Sequence, residues 1–215
     1  MRSSEIDAAL TPPEPFSALL FDCDGTLVDS VTAYERAWER AFAAQGRTMP
    51  PGWYRARTGL SPAALADAAA LDDPTPLDKQ AVQSQAIRHF VDLVELVTSN
   101  ERVAAVAHAH HGSVPMAVVS GGPKAAVQAA LEAAGILGLF DAVVTVEDVE
   151  RGKPAPDLYL VALDRLQVAA ADCVAYEDTD EGLAAAKAAG IRCIDVRTVL
   201  ATGLDPTDGA GGGTR

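Results

Sequence analysis

The chain is poor in cysteine, in basic residues and in long apolar runs, and each shortage excludes a class of protein. Three cysteines, Cys23, Cys173 and Cys193, are an odd number with no spacing pattern. That argues against a disulfide framework and for reduced thiols packed in a cytoplasmic protein. Seventeen Lys and Arg stand against thirty Asp and Glu, a formal net charge of -13. Such a surface repels nucleic acid and anionic membranes, so neither is expected as a partner. No apolar stretch approaches the ~20 residues that a membrane-spanning helix needs. The first residues carry Glu5, Asp7 and Thr11-Pro12-Pro13-Glu14-Pro15, which is unlike a signal peptide. What is present is 49% hydrophobic and 22% charged residues over 215 positions. That suits a soluble globule with a real core, one domain of ordinary size plus an inserted piece. Nothing in the sequence points to a protein partner.

The most informative stretch is Phe21-Asp22-Cys23-Asp24-Gly25-Thr26-Leu27-Val28-Asp29-Ser30. The apolar run Ala18 to Phe21 leads into it and reads as a short buried strand. Residues two apart in an extended chain point to the same side. Asp22 and Asp24 can therefore share one site, with Cys23 turned away into packing, and Gly25 allows a sharp turn. Two carboxylates that close repel one another unless a cation joins them or one takes a proton. A hard, oxygen-seeking ion such as magnesium meets that need. The plainer alternative is a polar turn after a strand.

Further along, the pattern divides the chain. From Val31 to Val97 the apolar spacing is helical and no strand is evident. Ser30 reads as a cap for the first helix, Ser61-Pro62 starts another, and Lys79 to about Val97 forms a third. A short helical stretch is expected from Trp53 to Arg57. From about Asn100 onward, helices alternate with buried strands at Pro115–Val119, Ala142–Val146, Cys173–Tyr176 and Cys193–Val196. Alternation of this kind implies an α/β fold, a Rossmann-like doubly wound parallel sheet. The expected organisation is a discontinuous core, residues 15–28 and 100–200, interrupted by an all-helical cap over 31–97. Residues 1–14 and 203–215 are expected to be flexible tails. The junctions near Val28-Asp29-Ser30 and Thr98-Ser99-Asn100 are hinge candidates.

Four of these segments end in polar clusters: Asp22 and Asp24, Ser120 with Gly121, the approach to Lys153, and Glu177 with Asp178. In an open parallel sheet the carboxyl ends of the strands face one crevice, where ligands bind. The segments FDCDGTLVDS, VVSGG, RGKPAPD and YEDTDEG resemble motifs one to four of the haloacid dehalogenase superfamily. With the helical cap, they resemble the branch that holds β-phosphoglucomutase and sugar-phosphate phosphatases. The resemblance spans nearly the whole chain and is weakest in the cap.

It implies a magnesium-dependent phosphatase of a small phosphorylated metabolite such as a sugar phosphate, acting through an aspartyl-phosphate. By that resemblance Asp22 is the nucleophile and Asp24 the general acid and base, lending its backbone carbonyl to the metal. Ser120 and the Gly121 loop hold phosphoryl oxygens, and Lys153 balances charge between Asp22 and the phosphoryl group. Asp178 ligates the metal directly, and Glu177 is either a second ligand or an outer-shell partner. Asp180 either reaches the metal through water or caps a helix. Arg57, Tyr34 and Lys124 are candidates to contact the rest of the substrate.

The alternative is a phosphomutase. The family's mutases place a histidine where Tyr34 aligns and basic residues where this chain has Ser61-Pro62-Ala63, and both departures count against it. A dehalogenase would need neither the metal nor Asp24. His108, His110 and His111 sit together at a helix end, where histidine suits the dipole without any metal.

Overall fold

The computed structural model describes residues 7–200. Five strands form one parallel sheet: β1 (Ala18–Phe21), β4 (Met116–Val119), β5 (Ala142–Val144), β6 (Cys173–Glu177) and β7 (Arg192–Asp195). Their order is β5-β4-β1-β6-β7, with β1 central. The register sets Leu20 beside Ala117 on one side and Ala175 on the other. Every residue of β1, β4 and β6 is buried. That is why these strands read as unbroken apolar runs: a parallel sheet covered on both faces needs both sides of each strand to be apolar.

Alternation still sorts the side chains. Leu19, Phe21, Met116, Val118, Val174 and Tyr176 enter one core cluster with α4 (Glu101–His110) and α5 (Lys124–Ala133). Ala18, Leu20, Ala117, Val119, Cys173 and Ala175 enter a second with α6 (Asp157–Leu166) and α7 (Asp180–Ala188). A short last helix, α8 (Arg197–Leu200), closes the described chain and places Val199 in the first cluster. Among the described residues, no helix is long and apolar enough to cross a membrane, and all three cysteines are free.

Between β1 and β4 the chain builds α1 (Val31–Ala43), α2 (Pro62–Asp72) and α3 (Lys79–Asp92). Ser61 caps α2 by accepting from the Ala64 amide at 3.2 Å. Asp78 caps α3 by accepting from the Ala81 amide at 2.9 Å. This helical block has its own core of Trp38, Phe42, Trp53, Leu65 and Val82. The chain enters it through β2 (Val28–Asp29) and leaves through β3 (Thr98–Ser99), which pair antiparallel.

Three local expectations are corrected. Trp53 to Arg57 contains only a 3-10 turn, Arg55–Arg57. The third helix of the block stops at Asp92, not near Val97, and a 3-10 turn over Val94–Leu96 follows. Breaking there lets both Leu93 and Val97 enter the main core. Part of the expected N-terminal tail is instead fastened down. Leu10 is fully buried, its carbonyl accepts from the Tyr176 hydroxyl at 2.8 Å, and Arg102 pairs with Asp7. Residues 1–6 and 203–215 lie outside the described chain.

Candidate active site

In a parallel sheet all carboxyl ends lie on one edge, and here three adjacent strands deliver polar groups to it. The strand order reverses between β1 and β6, the crevice where open α/β sheets bind ligands. Asp22 follows β1, its amide donating to the Tyr176 carbonyl at 3.0 Å. Ser120 follows β4, its amide donating to the Val144 carbonyl at 2.9 Å. Glu177 ends β6, and Asp178 follows it.

Lys153 arrives from the loop before α6, next to a cis Lys153–Pro154 bond, and joins these groups. Its ammonium lies 2.6 Å from Asp22 Oδ1 and 2.5 Å from Glu177 Oε1, and donates to the Val119 carbonyl at 2.9 Å. Burial alone would lower its pKa, but the two carboxylates more than reverse that and hold the ammonium charged. The Tyr159 hydroxyl donates to the same Glu177 oxygen at 2.6 Å.

Asp24 accepts from the Ser30 hydroxyl at 2.5 Å. Burial pushes its carboxyl up to about 6 against that hydrogen bond, with Asp22 adding to the rise. Ser30 sits at the start of α1 as expected but makes no side-chain cap there; its hydroxyl serves Asp24 instead. Ser120 Oγ accepts from the Gly122 amide at 2.9 Å, which leaves its own proton for another acceptor.

Two glycines allow the carboxylates to sit this close to the backbone. Gly25 has φ 85, and a Cβ there would overlap the Asp178 carboxylate. A Cβ on Gly182, in the first turn of α7, would overlap the Glu177 carboxylate.

Asp22, Glu177 and Asp178 each offer an oxygen within 4.8 Å of the others. Burial, and then the charge of Asp22, pushes the carboxyls of Glu177 and Asp178 upward. Glu177 Oε2 is buried with no hydrogen-bond partner. Two buried carboxylates and a half-buried third beside a single ammonium are under-neutralised, and a hard cation suits such an oxygen set.

Asp22, Asp24, Ser120, Gly121, Lys153 and Tyr34 all line one cavity between the sheet edge and the helical block. It encloses about 170 Å³. At ~10–15 Å³ per water, that is on the order of ten waters, room for a small metabolite. Asp178 lines the adjoining cavity together with Asp24 and Gly25.

The other residues singled out from the sequence lie elsewhere. Arg57 pairs with Asp72 at 2.9 Å and stacks over Trp53 at 4.6 Å, and it is not among the cavity's lining. Lys124 is exposed, and it is its backbone amide that is engaged, by Glu147 at 3.1 Å. Asp180 pairs with Arg197 at 2.9 Å, while Thr179 caps α7. His110 and His111 each direct Nδ1 to a backbone carbonyl, of Val106 and Leu139. Tyr159, Ser30 and Thr26, whose hydroxyl donates to Asp178 at 3.3 Å, were not anticipated as site residues. Only Ser30 carried a signal, a hydroxyl six residues after Asp24, and it reads equally well as a helix cap.

Comparison with known proteins agrees with this geometry. Residues 16–190 match the family described as haloacid dehalogenase-like hydrolase. The chain is 34% identical over 188 residues to the fructose-1-phosphate phosphatase YqaB of Escherichia coli, covering 86% of this chain and 98% of that protein. It is also 34% identical over 184 residues to the validoxylamine A 7'-phosphate phosphatase of Streptomyces hygroscopicus subsp. limoneus, covering 85% and 86%. Among solved structures, CbbY from Rhodobacter sphaeroides in complex with phosphate superposes with a TM-score of 0.75 at 29% identity, over 83% of this chain and 85% of that one. With a matched profile over most of its length and a site built on its strand ends, the chain belongs to the haloacid dehalogenase-like hydrolases.

Proposed function

We propose that this protein is a magnesium-dependent phosphatase of small phosphate monoesters, sugar phosphates in the first place, working through an aspartyl-phosphate on Asp22. The observation that carries the reading is the buried Lys153 ammonium bridging Asp22 and Glu177 beside Asp178. Two relatives that match most of the chain are by name phosphatases of fructose-1-phosphate and of validoxylamine A 7'-phosphate, and the first supports the choice of substrate.

Asp22 attacks the phosphorus while the ester P–O bond breaks. Asp24, whose carboxyl is raised by burial, gives its proton to the departing alkoxide and, once ionised, takes one from the water that hydrolyses the acyl phosphate. Lys153 holds one oxygen of Asp22 against repulsion from the incoming phosphoryl group. Ser120 directs its free hydroxyl proton, with the Gly121 amide beside it, at a phosphoryl oxygen, while the Gly122 amide holds Ser120 Oγ in place.

Asp22 and Asp178, with the Asp24 carbonyl, would hold the cation, whose charge would offset that of the phosphoryl oxygens. Glu177 has one oxygen engaged by Lys153 and Tyr159 and would turn its unpartnered Oε2 to the cation side, as a second ligand or through water. The helical block, residues 31–97, acts as a cap that keeps bulk water from the reacting ester.

The test is phosphate release from a panel of sugar phosphates with and without magnesium. Turnover is expected only with the metal, and Asp22→Asn is expected to lower it by at least ~1000-fold and to abolish phosphoenzyme. Metal-independent turnover, or an active Asp22→Asn variant, would reject the proposal.

A further inference from the structure

Beyond the strand-end carboxylates, Ser120 and Lys153, the rest of the cavity lining carries a second message. From the helical block it receives Tyr34, Trp38, Tyr54 and Ser61: three aromatic rings and three hydroxyls, with no formal charge. From the sheet side it receives Glu181, the second residue of α7, which stands exposed where the main cavity meets its neighbour. Arg57, the cation that could have met a second anionic group, is held outside by Asp72 and the Trp53 ring. Among the described residues, Lys153 is the one cation lining the main cavity, and Asp22 and Glu177 already hold it. The far end of a bound ester therefore meets aromatic faces, hydroxyls and one carboxylate.

Aromatic faces and hydroxyls suit a polyol or sugar ring, whose C–H face packs and whose rim hydrogen-bonds. A second phosphate there would face Glu181, and the one cation among the described residues that lines the adjoining cavity, Arg197, is already held by Asp180 at 2.9 Å and Asp195 at 2.7 Å. Juxtaposed like charges are a common means of rejecting wrong partners. A protonated amine would instead be attracted.

We propose that Glu181 is a specificity-determining residue: it restricts the site to phosphate monoesters whose remaining part is neutral or carries an ammonium group, and it excludes bisphosphates. This rests on the phosphatase reading above.

The experiment compares kcat/KM with magnesium for a hexose phosphate, the matching aminohexose phosphate and the matching hexose bisphosphate. It uses the wild type, Glu181→Gln, Glu181→Lys and the conservative Glu181→Asp. Wild type should prefer the monophosphate over the bisphosphate by at least ~10-fold. Glu181→Gln should narrow that ratio by ~3- to 10-fold, Glu181→Lys further, and Glu181→Asp should largely keep it. Because Glu181 is exposed, the wild-type ratio should also shrink as salt rises toward ~1 M. A wild type that uses the bisphosphate equally well, or a ratio that neither Glu181→Gln nor Glu181→Lys moves, overturns the proposal.

Failure of the phosphatase reading looks different: no ester is turned over at all. Calorimetric binding of the same three esters to Asp22→Asn, with and without Glu181→Lys, still decides the selectivity. The same order of affinity, reversed or flattened by the lysine, upholds it, and indifference rejects it.

Discussion

One oxygen of Glu177 takes two donors at once, the Lys153 ammonium and the Tyr159 hydroxyl, and the Lys153 ammonium also lies 5.6 Å over the Tyr159 ring. Removing only the hydroxyl leaves the ring contact and deprives a buried carboxylate of a hydrogen bond. A hydrogen bond to a charged group is worth ~1.5–3 kcal/mol. Tyr159→Phe is therefore expected to lower kcat by ~10-fold with KM changed much less, because Lys153 loses a fixed partner while the cavity wall is untouched. Steady-state kinetics and a melting curve check both halves. Ser30→Ala probes the other carboxylate. The Ser30 hydroxyl favours the ionised form of Asp24, so its loss should raise the Asp24 pKa further and move the alkaline limb of the kcat/KM profile upward. An unmoved or lowered limb would contradict the role given to Asp24. At this scale the sequence reveals the residues whose chemistry has a spacing: Asp22 with Asp24, the Lys153-Pro154 turn, and Glu177 with Asp178. Tyr159 is hidden because it shares the apolar face of α6 with Leu158 and Ala162, where a tyrosine reads as packing. Its hydroxyl finds its partner 18 positions away.

The strands and most helices follow from runs and caps, since burial on both faces of a parallel sheet leaves an apolar signature that survives without any partner in view. What escaped was tertiary in origin. The break after Asp92 answers the demand of Leu93 and Val97 for the main core, which no local propensity reports. The N-terminal segment reads as a tail because its prolines suppress regular structure, yet Arg192 donates to the Pro13 carbonyl at 2.8 Å. Both junctions of the helical block were visible as changes of pattern, but their pairing as a two-stranded ribbon, Val28 with Ser99 and Asp29 with Thr98, needs coordinates. Arg47, buried in a loop and donating to the Ala69 carbonyl at 2.7 Å, carries no sequence signal at all. The block stands on an aromatic cluster in which Trp38 lies 6.1 Å from Phe42 and 6.4 Å from Trp53. Trp38→Ala should cost ~3–5 kcal/mol, the range for deleting a large buried ring. Because Trp38 also lines the cavity, KM for a sugar phosphate should rise. A melting temperature within a degree or so of wild type would show that the block does not depend on that ring.

Across the whole molecule, the sheet collects more negative charge at one edge than its own residues neutralise, in a chain already at -13. Burial raises the carboxyls of Asp24 to about 6 and of Asp178 to about 7, with Glu177 raised in the same direction. A group whose pKa is higher in the folded state contributes stability that is complete below its unfolded value, ~4 for a carboxylate, and is lost as pH rises through the folded value. The metal-free protein should therefore lose stability between about pH 4 and about pH 7 on account of these groups. Magnesium takes carboxylates in their ionised form, so its binding releases protons and strengthens across the same window. The rise in melting temperature on adding magnesium should be larger at ~pH 8 than at ~pH 5.5, because ligand stabilisation grows with affinity. Asp178→Asn removes one of the strained charges together with one ligand. It should leave the metal-free protein at least as stable as wild type at the higher pH and reduce the magnesium increment at both. Thermal melts at the two pH values, with and without the metal, separate these outcomes. A magnesium increment that ignores pH would mean that the buried carboxylates are not what the cation answers, and an increment untouched by Asp178→Asn would place the cation elsewhere.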